Sequence, residues 1–401
     1  MGSSIRLARS NAQLPVSSYL DESQFQREID ALFKRFPRYV GHELAVPEIG
    51  DYHTLLHEDH GRMLVRNSNG IELLSNVCRH RQAIILHGRG NTSVGGSQNI
   101  VCPLHRWTYD MHGRLLGAPH FDDNPCLNLA RAPLINWNGL LFEEAVERSS
   151  STARRGFAEL ASLDPRFAPG GEFHFGGYLF DHAIVHECDY NWKTFIEVYL
   201  EDYHVGPFHP GLGQFVTCDD LRWEFGERYS LQTVGVKNEL TQPGTPKYKA
   251  WHEHVLRFSG GVAPKHGAIW LTIYPNIMVE WYPHVLVVST LVPRGPQKTT
   301  NIVEFFYPEE VALFEREFVE AERAAYLETG VEDDEIALRM DAGRRALYER
   351  GADEAGPYQS PMEDGMQHFH EWLRREMAAV GQNFRDERSA SSDRFRKTGR
   401  F

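Results

Sequence analysis

The spacing of hydrophobic positions changes along the chain. Between residues 19 and 36 it follows a helical period. Phe25, Ile29, Leu32 and Phe33 share one side, and Asp21 is placed as the N-cap with acid in the first turn. From about residue 38 to 145 the period gives way to short β-rich runs cut by Gly, Asn and Asp, among them MLVRN, IELLSNV, NIVCPL and GLLFEEA. These runs predict a small antiparallel β domain. Residues 146–172 turn polar, with Ser, Arg and Gly (ERSSSTARRG), and predict a linker. Further on, GGYLFDHAIVHECD, LQTVGVKNEL, AIWLTIYPNIMVEWYP, HVLVVSTLVP and TTNIVEFFYP read as long strands. NWKTFIEVYLEDYH and the charged amphipathic stretches 308–328, 332–350 and 361–378 read as helices. Helices flanking an antiparallel core predict an α+β fold. The expected organisation is a helical segment over 1–37 that packs on the second domain, a β domain over 38–145, the linker, a second domain over 173–380, and a mobile tail over 381–401.

The chain has 401 residues, with 42 Lys+Arg against 55 Asp+Glu, a formal net charge of −13. An acidic chain without a basic block excludes nucleic acid and anionic membrane surfaces as natural partners. No run of 18 apolar residues predicts a membrane span, and MGSSIRLARSNAQLP lacks the apolar core of a secretory signal. The five cysteines (78, 102, 126, 188 and 218) are odd in number and sparse, which argues against a disulfide scaffold and for the reducing cytoplasm. Histidine, at 20 residues, is abundant enough to suggest metal ligands.

Two constellations carry chemistry. In the β domain, Cys78-x-His80 and Cys102-x-x-His105 stand with 21 residues between them, and each half follows a strand. Four such ligands suit zinc, although zinc sites usually pair like with like. One Cys and one His from each half also suit a two-iron cluster with two thiolates on one iron and two imidazoles on the other. The second constellation is His204-x₄-His209. On a straight helix the two rings would lie about 140° apart. Gly206, Pro207 and Pro210 break the helix there and let the rings converge. Two His and one carboxylate on one face of an ion leave positions free for O₂ and substrate, as in non-heme iron(II) oxygenases. Other candidates read more plainly. His368 and His370 suit packing or the end of a pocket, Cys126, Cys188 and Cys218 are plain thiols, and Trp281, Tyr282, Phe305, Phe306 and Tyr307 belong to a core.

The first constellation resembles the Rieske [2Fe–2S] motif at all four ligand positions. The match extends to Arg79, Arg81 and the run from Trp107 to Gly113. The extra cysteines of the respiratory type are missing from the loops. The second resembles the mononuclear iron motif of Rieske non-heme iron oxygenases, with Asn191-Trp192-Lys193 opening the helix and Tyr203 before the first His. Together they resemble the large (α) subunit of that family from about residue 18 to 378. A family Asn just before the bridging acid is replaced, by Glu197 or Val198.

The resemblance implies an N-terminal Rieske antiparallel β domain and a C-terminal helix-grip catalytic domain with a curved antiparallel sheet. It implies a [2Fe–2S] cluster on Cys78, His80, Cys102 and His105, a mononuclear Fe(II) on His204 and His209, and Glu201 as the acid linking this iron to a cluster in the neighbouring subunit. The third iron ligand falls in the acidic pair before Gly343. Asp333 is the choice, ahead of Asp334 and then Asp341, although acids also favour a helix start for its dipole. Electrons would come from a separate NAD(P)H-dependent reductase, with or without a ferredoxin. The absence of a G-x-G-x-x-G motif agrees with an external reductase. A homotrimer, with or without a small β subunit, is expected. The reaction would be oxygenation of an organic substrate by O₂, with an aromatic compound expected from the family's commonest chemistry. Glu at 201 instead resembles the branch acting on carnitine- or betaine-like quaternary amines. A Rieske-type electron carrier is the rival class, and the long second domain with its own ligand set argues against it. A helix-grip binding protein with vestigial metal sites is a third.

Overall fold

The structure is a computed structural model that describes residues 12–93, 98–144 and 157–379. The predicted tail and residues 146–156 of the predicted linker lie outside these.

The first β unit is built from short antiparallel strands, as the closely spaced turn residues require. A five-stranded sheet runs in the order Arg89–Asn91, Asp51–Thr54, Arg62–Asn67, Gly70–Ser75, Arg131–Ala132. Beside it stand a three-stranded meander (Asn99–Val101, Thr108–Asp110, Leu115–Gly117) and a second small sheet of Arg38–His42, Leu140–Glu143 and Leu134–Trp137.

The second unit centres on seven antiparallel strands in the order Tyr178–Cys188, Lys298–Pro308, Val285–Gly295, Ile277–Tyr282, Ala268–Ile273, Tyr229–Val236, Val216–Phe225. Both faces of the sheet's central strands are covered, which explains why they read as near-continuous apolar runs; the edge strand Val216–Phe225, polar and partly exposed, was not expected from the sequence. Along Lys298–Pro308, Val303, Phe305 and Tyr307 pack on one side with Trp251, Phe318 and Val319. Phe306 packs on the other side with Phe142 and Tyr39 of the first β unit. Tyr39 also donates to the buried Glu304 at 2.5 Å, tying the two units together. The stretch 268–282, expected as one strand, is a hairpin. Pro275 has no N–H for a ladder, and Asn276 turns the chain by bonding Leu291 O at 2.6 Å.

The helix expected over 19–36 is divided. Ser17–Leu20 stops at Asp21, which caps Glu22–Glu28 by accepting from Gln24 N at 2.7 Å, and Ile29–Phe33 continues as a wider π-helical turn. This segment covers the helices Trp192–Tyr199 and 364–379 through Tyr19, Phe25, Leu32, Trp192, Ile196 and Phe369. Its Glu28 pairs with Lys193 at 2.6 Å, both fully buried. Part of the expected linker also packs into the core, through Leu160, Leu163 and Phe167. The helices expected at 308–328 and 332–350 are instead a short Glu309–Phe314 and one continuous helix, Arg316–Glu349. At 34 residues it is about 50 Å long. Gly330 lies inside it. A mid-helix glycine costs about 1 kcal/mol relative to alanine, and here packing against Pro246–Phe258 and Trp192–Tyr199 holds the helix together.

Candidate metal centres and the cavity beside them

The loops carrying Cys78-x-His80 and Cys102-x-x-His105 are built alike. In each, the cysteine N–H bonds the carbonyl five residues on (Ala83 and Trp107, both 2.8 Å), and the residue four on returns its N–H to the cysteine carbonyl. That fourth residue, Gln82 or Arg106, takes a left-handed φ of 56° or 61°. Both thiols are buried and free. The rings of His80 and His105 stand 4.7 Å apart, and His80 stacks on Trp107 at 5.0 Å. Backbone N–H groups of Leu104 and His105 point at Cys102, and the Tyr109 hydroxyl lies 3.5 Å from Cys78 Sγ. Two thiols side by side, each supplied with hydrogen-bond donors, form a pocket suited to thiolates on a cationic cluster. The two imidazoles lie at the outer edge, with Leu104 and His105 exposed.

In the second unit, the helix Trp192–Tyr199 ends at Leu200. Glu201 then accepts the N–H groups of Tyr203 and His204 (2.7 and 3.1 Å), starting a single turn, Val205–Phe208. His204 and His209 flank this turn, so the break at Gly206 and Pro207 brings their rings together. A Cβ on Gly211 would meet Tyr248 at 2.1 Å, so only glycine lets the chain pass there. His204 Nε2 and His209 Nε2 lie 3.0 Å apart, and Asp333 Oδ1, from the long helix, lies 3.5 and 3.0 Å from them.

The donor chemistry of this triad fits a metal. His204 Nδ1 bonds Glu201, and His209 Nδ1 bonds Glu332 Oε2 at 2.7 Å. Ionised carboxylates only accept, so both Nδ1 atoms carry the proton and both Nε2 atoms present lone pairs. Three acceptor atoms thus face one point with no donor between them. Cis ligands at about 2.1 Å from one ion lie about 3.0 Å apart, which two of the three separations match, the His204–Asp333 one being wider at 3.5 Å. Glu332 was missed in the sequence, where it reads as one more acid in VEDDE.

The other acidic candidates are engaged elsewhere. Asp334, about 100° round the helix from Asp333, bonds His186 Nε2 at 2.8 Å and Tyr190 OH at 2.7 Å. His186, Cys188 and Asp334 also cluster closely enough for a metal, but the His186–Asp334 hydrogen bond already satisfies that pair. Asp341 is buried and caps the helix Trp192–Tyr199 through Asn191 N (2.8 Å) and the Thr194 hydroxyl (2.6 Å). Glu197 is a buried hub, bonded to Tyr19 OH, to Arg344 at 2.6 Å and to His370 at 2.8 Å. Arg344 and Asp341 thus lock the long helix to the helix before the triad. His370 belongs to this hub, and His368 bonds Tyr274 OH at 2.9 Å. Neither lines the cavity.

Beside the triad opens a cavity of about 330 Å³. Aromatic side chains wall it, among them Tyr199, Tyr248, Trp251, Trp270, Tyr282 and Tyr326. Tyr282, expected in the core, faces this cavity. Six carboxylate residues line it (187, 201, 202, 280, 333 and 334), and no Lys or Arg does among the described residues. Gly330 contributes open space, where a Cβ would meet nothing within 4 Å. Burial pushes the carboxyls of Asp202 and Glu280 up to about 7, with hydrogen bonds from Gln232, and from Tyr282 and Tyr326, pulling the other way.

Comparison with known proteins identifies the two units that carry these residues. Residues 38–130 match the Rieske [2Fe–2S] domain, and residues 175–379 match the ring hydroxylating alpha subunit (catalytic domain). A putrescine 2-hydroxylase of Ralstonia nicotianae is 66% identical over 377 residues, covering 94% of this chain and 99% of that protein. One from Bordetella bronchiseptica is 59% identical over 387 residues, covering 94% and 87%. A crystal structure of a quaternary ammonium Rieske monooxygenase shares the fold, with a TM-score of 0.69 at 19% identity over 91% of this chain and 95% of that one. Nothing in these relatives supports the aromatic substrate expected from the sequence.

Proposed function

The chain belongs to the ring-hydroxylating alpha subunits of the Rieske oxygenases, and on that footing we propose that it hydroxylates an aliphatic diamine, putrescine or a close homologue. The observation that carries this reading is the cavity itself, with six acids, aromatic walls and, among the described residues, no Lys or Arg. A dication of narrow, apolar middle suits it. The substrate named for its 66% identical relative is of that kind.

In this reading Cys78, His80, Cys102 and His105 hold the [2Fe–2S] cluster, and His204, His209 and Asp333 hold the mononuclear iron. The cluster supplies electrons, and the iron supplies the redox chemistry that puts an oxygen atom of O₂ into a C–H bond. The protein's own part is orientation and exclusion of water. Glu201 and Glu332 fix the tautomers of His204 and His209. The aromatic walls keep the reacting carbon dry. Glu201 stays partly exposed beside His204, and in this reading it also takes an imidazole of a neighbouring subunit. The exposed edge bearing His105 and Leu104, next to Phe121, suits docking on a neighbouring subunit, so we place the active unit as a homotrimer fed by a separate reductase or ferredoxin. Free cysteines suit the cytoplasm, and among the described residues no helix is long and apolar enough to cross a membrane.

The test is turnover of the iron-loaded protein with a surrogate reductase and ¹⁸O₂. Putrescine should drive O₂ uptake and gain one labelled oxygen, ahead of carnitine, glycine betaine and benzoate. No uptake with any diamine, beside uptake with one of the others, would overturn the reading. Iron near three per chain separates the oxygenase from a carrier holding two.

A further inference from the structure

Glu280 is a deep acid of the cavity that no cation of the described residues answers. It projects from the strand Ile277–Tyr282, is 2% exposed and lines the cavity. Two other deep acids are answered by cations: Glu28 pairs with Lys193 and Glu197 with Arg344. Glu280 forms no ion pair among the described residues. Only hydroxyls reach it, Tyr282 OH at 2.8 Å and Tyr326 OH at 3.1 Å, and Trp270 Nε1 donates to Tyr282 OH at 2.9 Å. Glu304 and Glu322 are also buried with tyrosine partners, but neither lines this cavity; Asp202, which does, follows Glu201 beside the triad and is held by the Gln232 amide. Three further polar atoms of the cavity wall, Tyr199 OH, Trp251 Nε1 and Asp202 Oδ2, are buried without any hydrogen-bond partner.

A carboxylate taken from water with no cation is costly. Here it is held by the hydroxyls of two tyrosines, in an aromatic-walled space left open. Resting on the diamine reading above, we infer that Glu280 receives the ammonium group of the substrate remote from the reacting carbon. The aromatic rings add cation–π attraction to the same charge.

The distances suit this role. Tyr326 precedes Asp333 by seven residues, two turns on one face of the long helix, which separates them by about 10 Å along its axis. The Glu280 end and the triad are therefore different stretches of one cavity. An extended four-carbon diamine spans about 6 Å between nitrogens, by ordinary bond lengths. One ammonium at Glu280 leaves the far half of the carbon chain toward the triad. The fixed anchor makes this position a ruler for chain length.

The experiment measures equilibrium binding to the iron-loaded, anaerobic protein, using putrescine and the neutral, similarly shaped 1,4-butanediol. Wild type should hold the diamine far more tightly than the diol. Glu280→Gln, nearly isosteric, should weaken putrescine by about 10- to 100-fold, the size of one charge-assisted hydrogen bond, and leave the diol unchanged. Equal putrescine affinity in the variant overturns the assignment. Should the variant not fold, the wild-type comparison alone decides: equal affinity for diamine and diol overturns it too. If wild type turns over putrescine while the variant binds it normally, only the role of Glu280 fails. If wild type neither binds nor turns over any diamine, the functional reading fails with it.

Discussion

Removing Glu332 tests how the triad is held. Its carboxylate accepts His209 Nδ1–H at 2.7 Å, with the His209 side chain 1% exposed and that of Glu332 21% exposed. In Glu332→Ala, a buried N–H loses its acceptor, and the ring is free to carry its proton on the atom that must face the metal. A hydrogen bond to a charged group contributes about 1.5–3 kcal/mol. The partial exposure of Glu332 puts the loss in the lower part of that range. At a factor of ten per 1.4 kcal/mol, Fe(II) affinity should fall about 10- to 30-fold, within the span usual for groups that orient metal ligands. Fe(II) titration of the apo-site against a competing chelator measures this, with the cluster absorbance reporting that the fold is intact. Glu332→Gln should fall less, since an amide oxygen still accepts. Wild-type Fe(II) affinity in Glu332→Ala would refute the reasoning.

Three further outcomes follow from the same geometry. Cys78→Ser and His105→Ala should each abolish the EPR signal of the reduced cluster, and survival of that signal in either would dismiss the cluster assignment. Asp333→Asn should lose the mononuclear iron and turnover but keep the cluster spectrum, whereas Asp334→Asn should keep all its iron; the opposite pattern in metal analysis would move the ligand by one residue. Glu201→Gln should keep both centres and the assembly yet lose most electron transfer from cluster to iron; cluster reoxidation at the wild-type rate in single turnover would remove Glu201 from the route.

The fold was legible where local pattern and final packing coincide. Asp21 is a cap in the structure because an acid before an amphipathic run has few better uses. The central strands of the large sheet were visible because both faces are buried, so nearly every residue in Val285–Leu291 had to be apolar. The error over the long helix has a tertiary origin. Gly330 and the acids around it read as a break between two helices, because propensity counts a glycine and a run of like charges against a helix. The helix continues because Arg344 and Asp341 fasten it to Trp192–Tyr199 by contacts about 150 residues away in the chain. Tertiary contact of that range leaves no local trace.

The site divides along the same line. The candidate ligands close in sequence are the ones whose convergence was readable, since Cys78, His80, Cys102 and His105 sit on two like turns and His204 and His209 flank one broken turn. The partners arriving from elsewhere were not. Glu332 and Asp334 flank Asp333 with the same chemistry in print, and only the 100° step of the helix sends one to His209, one to the metal position and one to His186. Glu280 was harder still, because in VEWYP it looks like the polar residue of an alternating strand, with solvent on its side of the sheet. Burial under Tyr326 inverts that meaning. A carboxylate that would be ordinary in water becomes, inside an aromatic cavity, a group that needs a cation the protein does not provide. Substrate chemistry is therefore written less in the metal ligands, which serve any member of the family, than in the few side chains whose charge the fold leaves unanswered.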